Sequence, residues 1–323
     1  MSLTIWSNAK FSESDTQLLV EGVRPHRLVF SPEASALVLQ PGRPDPALAA
    51  ADIAFGQPDA VQCLASRALR WVEVTSAGYE RYDTPEFKEA FRARGAIFSN
   101  VSEVFADSCA QHVLAMMLAF GRRLLPSYRD QLTTRGWAYA ERRYDSRLLT
   151  GQSVLLLGYG AIGRRLVELL APFGMTVTAV RRQTRSERGV RIIPEESLSS
   201  ALATADHVVN VLPGNAGTRN YVNARRLACV KPGARFYNVG RGVTVDERAL
   251  ADALRSGRLA EAYLDVFETE PLPADHELWG LPNCFITPHT AGGRRDQDEA
   301  VVRHFLANLH AFCHHKPMTD RVI

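Results

Sequence analysis

Lysine is nearly missing from this 323-residue chain: only Lys10, Lys88, Lys231 and Lys316 occur, so Arg carries almost all the positive charge. The charges nearly balance, at 38 Lys and Arg against 35 Asp and Glu, and the net charge is +3. Arg falls in short clusters, not long basic runs, which excludes nucleic acid as the main partner. Cysteine is scarce as well. Cys63, Cys109, Cys229, Cys284 and Cys313 are scattered, odd in number and without a C-x-x-C pair. That excludes a disulfide framework and a zinc site, so no metal is expected, and it suits a reducing cytoplasm. Long apolar runs are missing too. The longest, Val113 to Phe120, is too short to span a bilayer, and the N-terminal stretch lacks the basic and apolar regions of a signal peptide. No membrane partner is expected. What is present is ordinary for a soluble globular protein, 46% apolar and 23% charged, in a length sufficient for two domains.

One stretch organises the rest. Ser153-Val-Leu-Leu-Leu-Gly-Tyr-Gly-Ala-Ile-Gly163 reads as a buried strand, a glycine turn and a helix opening at Ala161. Gly158, Gly160 and Gly163 have G-x-G-x-x-G spacing. The first permits the tight turn, the second lets a pyrophosphate approach the backbone, and the third lets helix and strand pack closely. An amphipathic run follows (Ile162, Leu166, Val167, Leu169, Leu170). The helix N-terminus offers N–H groups to phosphates, so Gly158, Tyr159, Gly160, Ala161, Ile162 and Gly163 are expected around a dinucleotide. The next strand, Thr176–Val180, ends at Arg181 and Arg182, with Arg185 close behind and no acid before Glu187. An acid there would accept a ribose 2′-hydroxyl, whereas a guanidinium binds a 2′-phosphate. NADP(H) is therefore favoured, and NAD(H) stays open.

Residues 1 to about 100 have the rhythm of an α/β domain, with strands expected at Leu3–Trp6, Leu28–Phe30, Ala36–Leu39, Asp52–Phe55, Trp71–Thr75 and Ala96–Phe98. Leu28–Leu39 reads equally as a hairpin or an irregular insertion. Asp83-Thr84-Pro85 is a helix start and Gly95 a stop. The loop Ser76-Ala77-Gly78 follows a strand, and is either a plain turn or an anion-binding loop. Glu103–Leu125 predicts a long apolar helix, with Ala110, Val113, Leu114, Met117, Leu118 and Leu124 as its buried stripe and Pro126 as its end. Asp107 and His112 on it read as structural. Residues 126–150 read as a polar surface connection suited to a partner subunit. After the glycine turn, strands are expected at Ala205–Pro213, Ala234–Gly240, Leu259–Val266 and Cys284–Pro288, with a helix capped by Asp246 and a final helix from Gly292. The β-α-β order requires a doubly wound parallel sheet.

Arg241, Glu270 and His289 each follow the carboxyl end of a late strand, which places them at the sheet edge that carries the glycine turn. Asn238-Val-Gly-Arg-Gly-Val-Thr-Val-Asp246, Leu264-Asp-Val-Phe-Glu-Thr-Glu-Pro-Leu-Pro273 and Thr287-Pro-His-Thr-Ala-Gly292 surround them. These motifs resemble the signatures of the D-isomer-specific 2-hydroxyacid dehydrogenases, in particular the glyoxylate/hydroxypyruvate reductase branch. The likeness covers residues 150 to 292 strongly and the flanks loosely.

The resemblance implies a Rossmann cofactor domain, residues 103–292, inserted in a flavodoxin-like α/β substrate domain, residues 1–102 plus 293–323, with a hinge at two crossing helices. It implies an oxidoreductase that reduces a small 2-oxo acid to the D-2-hydroxy acid. Arg241 would hold the carboxylate and polarise the 2-oxo group, His289 would donate the proton, and Glu270 would orient His289 and favour its protonated form. Asp265 would lie near the nicotinamide. Leu212, Pro213, Thr218, Val239, Gly240 and Gly292 would complete the cofactor contacts, and Ala77 and Gly78 would bind the substrate carboxylate. It also implies a homodimer through the dinucleotide-binding domain. The chain departs from the family pattern at Ala110-Gln111, Leu212-Pro-Gly-Asn215 and Ser76-Ala77-Gly78-Tyr79. A nucleotide-sensing, corepressor-like binding protein on the same fold is the alternative; the intact Arg241, Glu270 and His289 favour the enzyme.

Overall fold

The structure, a computed structural model, describes residues 2–35, 42–181 and 187–323. The chain forms two compact units, Met1–Phe105 with Arg294–Ile323, and Ala106–Gly293.

The first unit is built on five parallel strands: β1 (Thr4–Ala9), β2 (Arg27–Ser35), β3 (Ile53–Gly56), β4 (Trp71–Val74) and β5 (Ile97–Ser99), in the order β2-β1-β3-β4-β5. Side chains alternate across a strand, so each contributes to two cores. Ile5, Ile53, Phe55 and Trp71 join one core with Leu19 of α1 (Glu13–Gly22) and with Val301, Val302, Phe305 and Leu309 of α11 (Gln297–Cys313). Trp6, Ala54, Val72, Val74 and Phe98 join the other, with Cys63 of α2 (Ala60–Ala65) and with Phe87 and Phe91 of α3 (Pro85–Ala93). Phe305 stacks on Phe55 at 4.0 Å and on Trp71 at 5.1 Å between ring centroids. Thr84 caps α3 by accepting the Phe87 N–H, Pro85 occupies its first turn, and Gly95 follows it at φ +65°. At the edge of the sheet, Arg321 bridges Ser99 in antiparallel fashion and the Val322 N–H donates to the Phe98 carbonyl. The C-terminal residues thereby cover the open side of β5.

Leu28–Leu39 resolves into a single strand as far as Ser35, parallel to β1, with a register shift between Ser7 and Ala9. The expected strand Ala36–Leu39 lies outside the described residues. The apolar helix α4 runs Ser102–Gly121, shorter than expected. Arg123 at φ 57° interrupts it, and Pro126 sits in the first turn of α5 (Leu124–Leu132), a position where proline is tolerated. Leu124 is consequently exposed. By length and hydropathy α4 could cross a membrane, but Cys109, Ala110, Val113, Met117 and Phe120 are the buried stripe of a core helix.

The second unit holds β6 (Ser153–Leu157), β7 (Thr176–Val180), β8 (Arg191–Ile193), β9 (His207–Asn210), β10 (Ala234–Asn238), β11 (Leu259–Leu264) and β12 (Cys284–Ile286). All pair in parallel, in the order β12-β11-β10-β9-β6-β7-β8. Besides α5 and most of α4, its helices are α6 (Tyr139–Tyr144), α7 (Ala161–Leu170), α8 (Leu198–Leu202), α9 (Ala224–Leu227) and α10 (Glu247–Arg255). Asp246 caps α10 through the Ala249 N–H. The fold is thus the expected pair of α/β units, with a doubly wound Rossmann sheet in the second. The chain leaves β6 for β7 on one side and continues at β9 on the other. The turn after β6 therefore lies at the reversal point where such sheets bind ligands.

Candidate active site

The glycine turn opens directly from β6. Gly158 has φ +93°, a conformation that L side chains rarely adopt. Gly160 precedes α7, no side chain caps that helix, and a Cβ built on Gly160 meets nothing within 4 Å. Gly160 thus leaves room beside the positive end of a helix, which fits a pyrophosphate. Gly163 is buried against Tyr159 and Leu156, where a larger residue would separate helix from strand.

Two buried amides fix the start of the next loops. Asn210 at the end of β9 donates to Asn238 Oδ1 at 3.0 Å and to Thr244 Oγ1 at 2.7 Å. Asn238 Oδ1 in turn accepts the Gly240 N–H at 3.1 Å, and Thr244 Oγ1 donates to the Arg241 carbonyl at 2.6 Å. The backbone of Arg241 is therefore held from both sides, and its guanidinium donates to the Gly240 carbonyl at 2.8 Å. A Cβ on Gly242 would lie 1.8 Å from the Phe267 carbonyl carbon. Only glycine lets the Arg241 loop approach the loop that carries Glu270. Neither the amide network nor this contact was foreseen from sequence, although the Arg-Gly pair after a strand is its visible trace.

Glu270 uses both carboxylate oxygens. One accepts the Phe267 N–H at 2.9 Å and the other meets His289 Nδ1 at 2.6 Å. Burial would raise its pKa. The bonds from His289 and Phe267, with the charges on His289 and Arg241, outweigh burial and hold the carboxyl below the usual carboxylate range. An ionised Glu270 can only accept, so the Nδ1 proton faces it and Nε2 is left for chemistry. Among the described residues Nε2 has no hydrogen-bond partner, and the His289 side chain is 33% exposed.

His289 stands on a loop folded around Asp265. The Asp265 carboxylate accepts Thr287 Oγ1 at 2.5 Å, the Thr290 N–H at 2.8 Å and the Ala291 N–H at 3.0 Å, and its carbonyl accepts the His289 N–H at 2.9 Å. His289 adopts φ +56° at the crown of this loop. Because Thr290 and Ala291 are tied to Asp265, the helix expected from Gly292 starts only at Gln297. Cys109 lies near Asp265 and Arg241. Burial, then the charge of Asp265, pushes its thiol up to about 12, so it stays protonated.

The remaining candidates are dispersed. Leu212 abuts Gly240, where a Cβ would lie 2.7 Å from the Leu212 carbonyl. Thr218 donates to the Pro213 carbonyl at 2.6 Å and closes its own loop. Val239 is buried. Arg181 follows β7 and pairs at 3.3 Å with Glu187, whereas Arg182 and Arg185 lie outside the described residues. Ala77 and Gly78 belong to the first unit, beyond the end of β4, where Asn100 holds the Ala77 carbonyl at 2.7 Å and Ser76 holds that of Gly78 at 2.6 Å. Among the described residues no cluster of His, Cys, Asp and Glu could hold a metal ion.

Residues 114–291 match the family described as D-isomer specific 2-hydroxyacid dehydrogenase, NAD binding domain. A glyoxylate reductase of Thermococcus kodakarensis is 32% identical over 254 residues, 75% of this chain and 74% of that one. A glyoxylate reductase of Pyrococcus furiosus is 30% identical over 249 residues, 76% and 73% of the respective chains. The crystal structure of a D-isomer specific 2-hydroxyacid dehydrogenase from Xanthobacter autotrophicus Py2, in complex with NADPH and MES, superposes with a TM-score of 0.83. It is 26% identical and covers 100% of this chain and 98% of that one.

Proposed function

The chain belongs to the D-isomer specific 2-hydroxyacid dehydrogenase family, and from that premise we propose that it reduces a small 2-oxo acid of the glyoxylate or hydroxypyruvate kind to the D-2-hydroxy acid, with NADPH as the reductant. The observation that carries this reading is the His289–Glu270 pair, held at 2.6 Å within electrostatic reach of Arg241. The dinucleotide, when bound at the glycine turn, supplies a hydride to the carbonyl carbon. Arg241 grips the substrate carboxylate and polarises the adjacent ketone. Nε2 of His289 donates its proton to the ketone oxygen, while Glu270 accepts the hydrogen bond of the Nδ1–H that the ring keeps and holds the ring in place. Asp265 acts one step back, as the anchor of the loop that presents His289.

Two further observations support the finer reading. The guanidinium of Arg181 directly after β7 suits a 2′-phosphate, and the relative from Xanthobacter autotrophicus Py2 was crystallised with NADPH. For assembly we propose a homodimer through the dinucleotide-binding unit. Leu124, Tyr128, Leu132, Trp137, Tyr139, Tyr144 and Leu148 are all exposed on its segment 124–148, with Trp137 at 92%. So dense a run of exposed apolar side chains supports that reading.

Initial rates with NADPH and NADH against glyoxylate, hydroxypyruvate, pyruvate and phenylpyruvate test the reading. The expected result is faster turnover with NADPH than with NADH, and with glyoxylate or hydroxypyruvate as the best acceptor. Cofactor binding without turnover of any of the four would overturn it.

A further inference from the structure

We propose that Glu187 is an internal competitor for Arg181, and that it sets how strongly the protein prefers a dinucleotide bearing a 2′-phosphate. The proposal rests on the cofactor reading above and goes beyond it. In sequence Glu187 stands six residues after Arg181; in the fold its Oε1 lies 3.3 Å from Arg181 Nη1.

Both partners are fixed in place. The Arg181 N–H donates to the Ile193 carbonyl of β8 at 3.2 Å. Glu187 forms an antiparallel bridge with Val190 across a tight turn in which Gly189 has φ +82°. The charge of Glu187 also reaches the phenol of Tyr159, the residue between Gly158 and Gly160: burial, then that charge, raises the Tyr159 pKa, so the hydroxyl keeps its proton. One carboxylate thus acts on both the rim of the glycine turn and the guanidinium at the end of β7.

The competition has a direction. The Arg181–Glu187 contact is single, and the side chains are 39% and 31% exposed, so solvent weakens it. A phosphate monoester carries nearly two charges and three acceptor oxygens, and a guanidinium can take it in a two-point grip. It displaces the carboxylate from Arg181, and Glu187, kept close by its backbone bridge to Val190, repels it. A ribose 2′-hydroxyl brings no charge and leaves the pair intact. Glu187 therefore weakens binding of the phosphorylated dinucleotide and leaves the other nearly untouched.

The test is direct titration of NADPH and NADH by nicotinamide fluorescence, without acceptor, on the wild type, Glu187→Gln, Arg181→Ala and the double variant. Gln preserves the shape of Glu187 and removes its charge. In Glu187→Gln, NADPH is expected to bind roughly three- to tenfold tighter, with NADH within about twofold of wild type. In the Arg181→Ala background the same change is expected to give a markedly smaller gain. Unchanged or weaker NADPH binding in Glu187→Gln overturns the proposal. The two readings fail separately. If Arg181→Ala leaves the NADPH-to-NADH ratio intact, the cofactor reading falls. If it collapses the ratio while Glu187→Gln leaves NADPH affinity alone, only the competitor role falls. Adenosine 2′,5′-bisphosphate against 5′-AMP in a thermal-shift assay reports the same contrast without the nicotinamide.

Discussion

Each unit of this protein holds a histidine against a carboxylate, and the two pairs leave their rings in opposite states. In the first unit His304 Nδ1 lies 3.1 Å from Glu73 and Nε2 lies 3.1 Å from Asp320. The other Glu73 oxygen accepts Ser99 at 2.8 Å and Asn308 at 2.7 Å, and Asp320 also accepts the Glu103 N–H at the start of α4. Every polar atom of that ring is satisfied, and its side chain is 9% exposed. In the second unit His289 has one carboxylate and one open nitrogen. A third ring, His207, is fully buried with no carboxylate. Tyr237 and Gln152 satisfy its nitrogens, and burial, helped by the charge of Arg235, lowers its pKa to about 3. A histidine beside an acid is therefore not in itself a sign of chemistry. The second nitrogen, without a partner among the described residues, is what marks His289 as the ring proposed for chemistry.

That contrast can be broken by exchange. His289→Asn is expected to lower kcat by roughly 10²- to 10⁴-fold, with little change in thermal stability. Asn is the suitable replacement because it tolerates the positive φ at this position. His304→Gln should do the reverse, lowering the melting temperature while kcat, assayed well below it, stays near wild type. Equal loss of kcat in both variants would erase the distinction.

The pH dependence of stability sharpens it. Burial alone would lower the His304 pKa, but the hydrogen bonds and charges of Asp320 and Glu73 raise it from 6.5 to about 9. A group whose folded pKa is raised stabilises fully below its unfolded value and loses that contribution as pH rises through the folded one. Unfolding free energy from denaturant titration is therefore expected to fall by about 3 kcal/mol more in the wild type than in His304→Gln between pH 6.5 and 9.5. Parallel curves for the two proteins would show that the buried ring is not charged.

The smallest expected effect concerns the neighbour of the open pair. Arg241→Lys keeps the charge but loses the two-point grip, and kcat/KM should fall about 10- to 100-fold. Near-normal kcat/KM would remove Arg241 from the role proposed for it.

The sequence made the parallel strands and the glycine turn legible because both are local: apolar runs bounded by turn residues, and glycines at positions that need them. The strand-end placement of Arg241, Glu270 and His289 was legible for the same reason. The devices that hold them were not. The donors to Asp265 are mostly backbone N–H groups, which leave no mark in a residue pattern. The abutment of Gly242 on Phe267 joins loops from different strands. Glu187 escaped because an acid seven residues beyond a strand reads as distant until the fold sets its carboxylate beside Arg181. The short β8 offered too few residues for its period to show, and α4 ends earlier than expected because Pro126 belongs to the first turn of the next helix.

The first unit is discontinuous in the chain, and this has a consequence for how it is made. On a ribosome, β1 to β5 emerge long before α11, yet Phe55 and Trp71 take their stacking partner from α11. At about 5–20 residues per second, translating residues 106–293 takes roughly 10–40 s. Throughout that interval one aromatic face of the nascent sheet lacks its cover, while the contiguous second unit can complete its own core. Helix α11 is thus a closing clasp, and nascent chains arrested before residue 297 should be held by chaperones more tightly than chains that have passed residue 313.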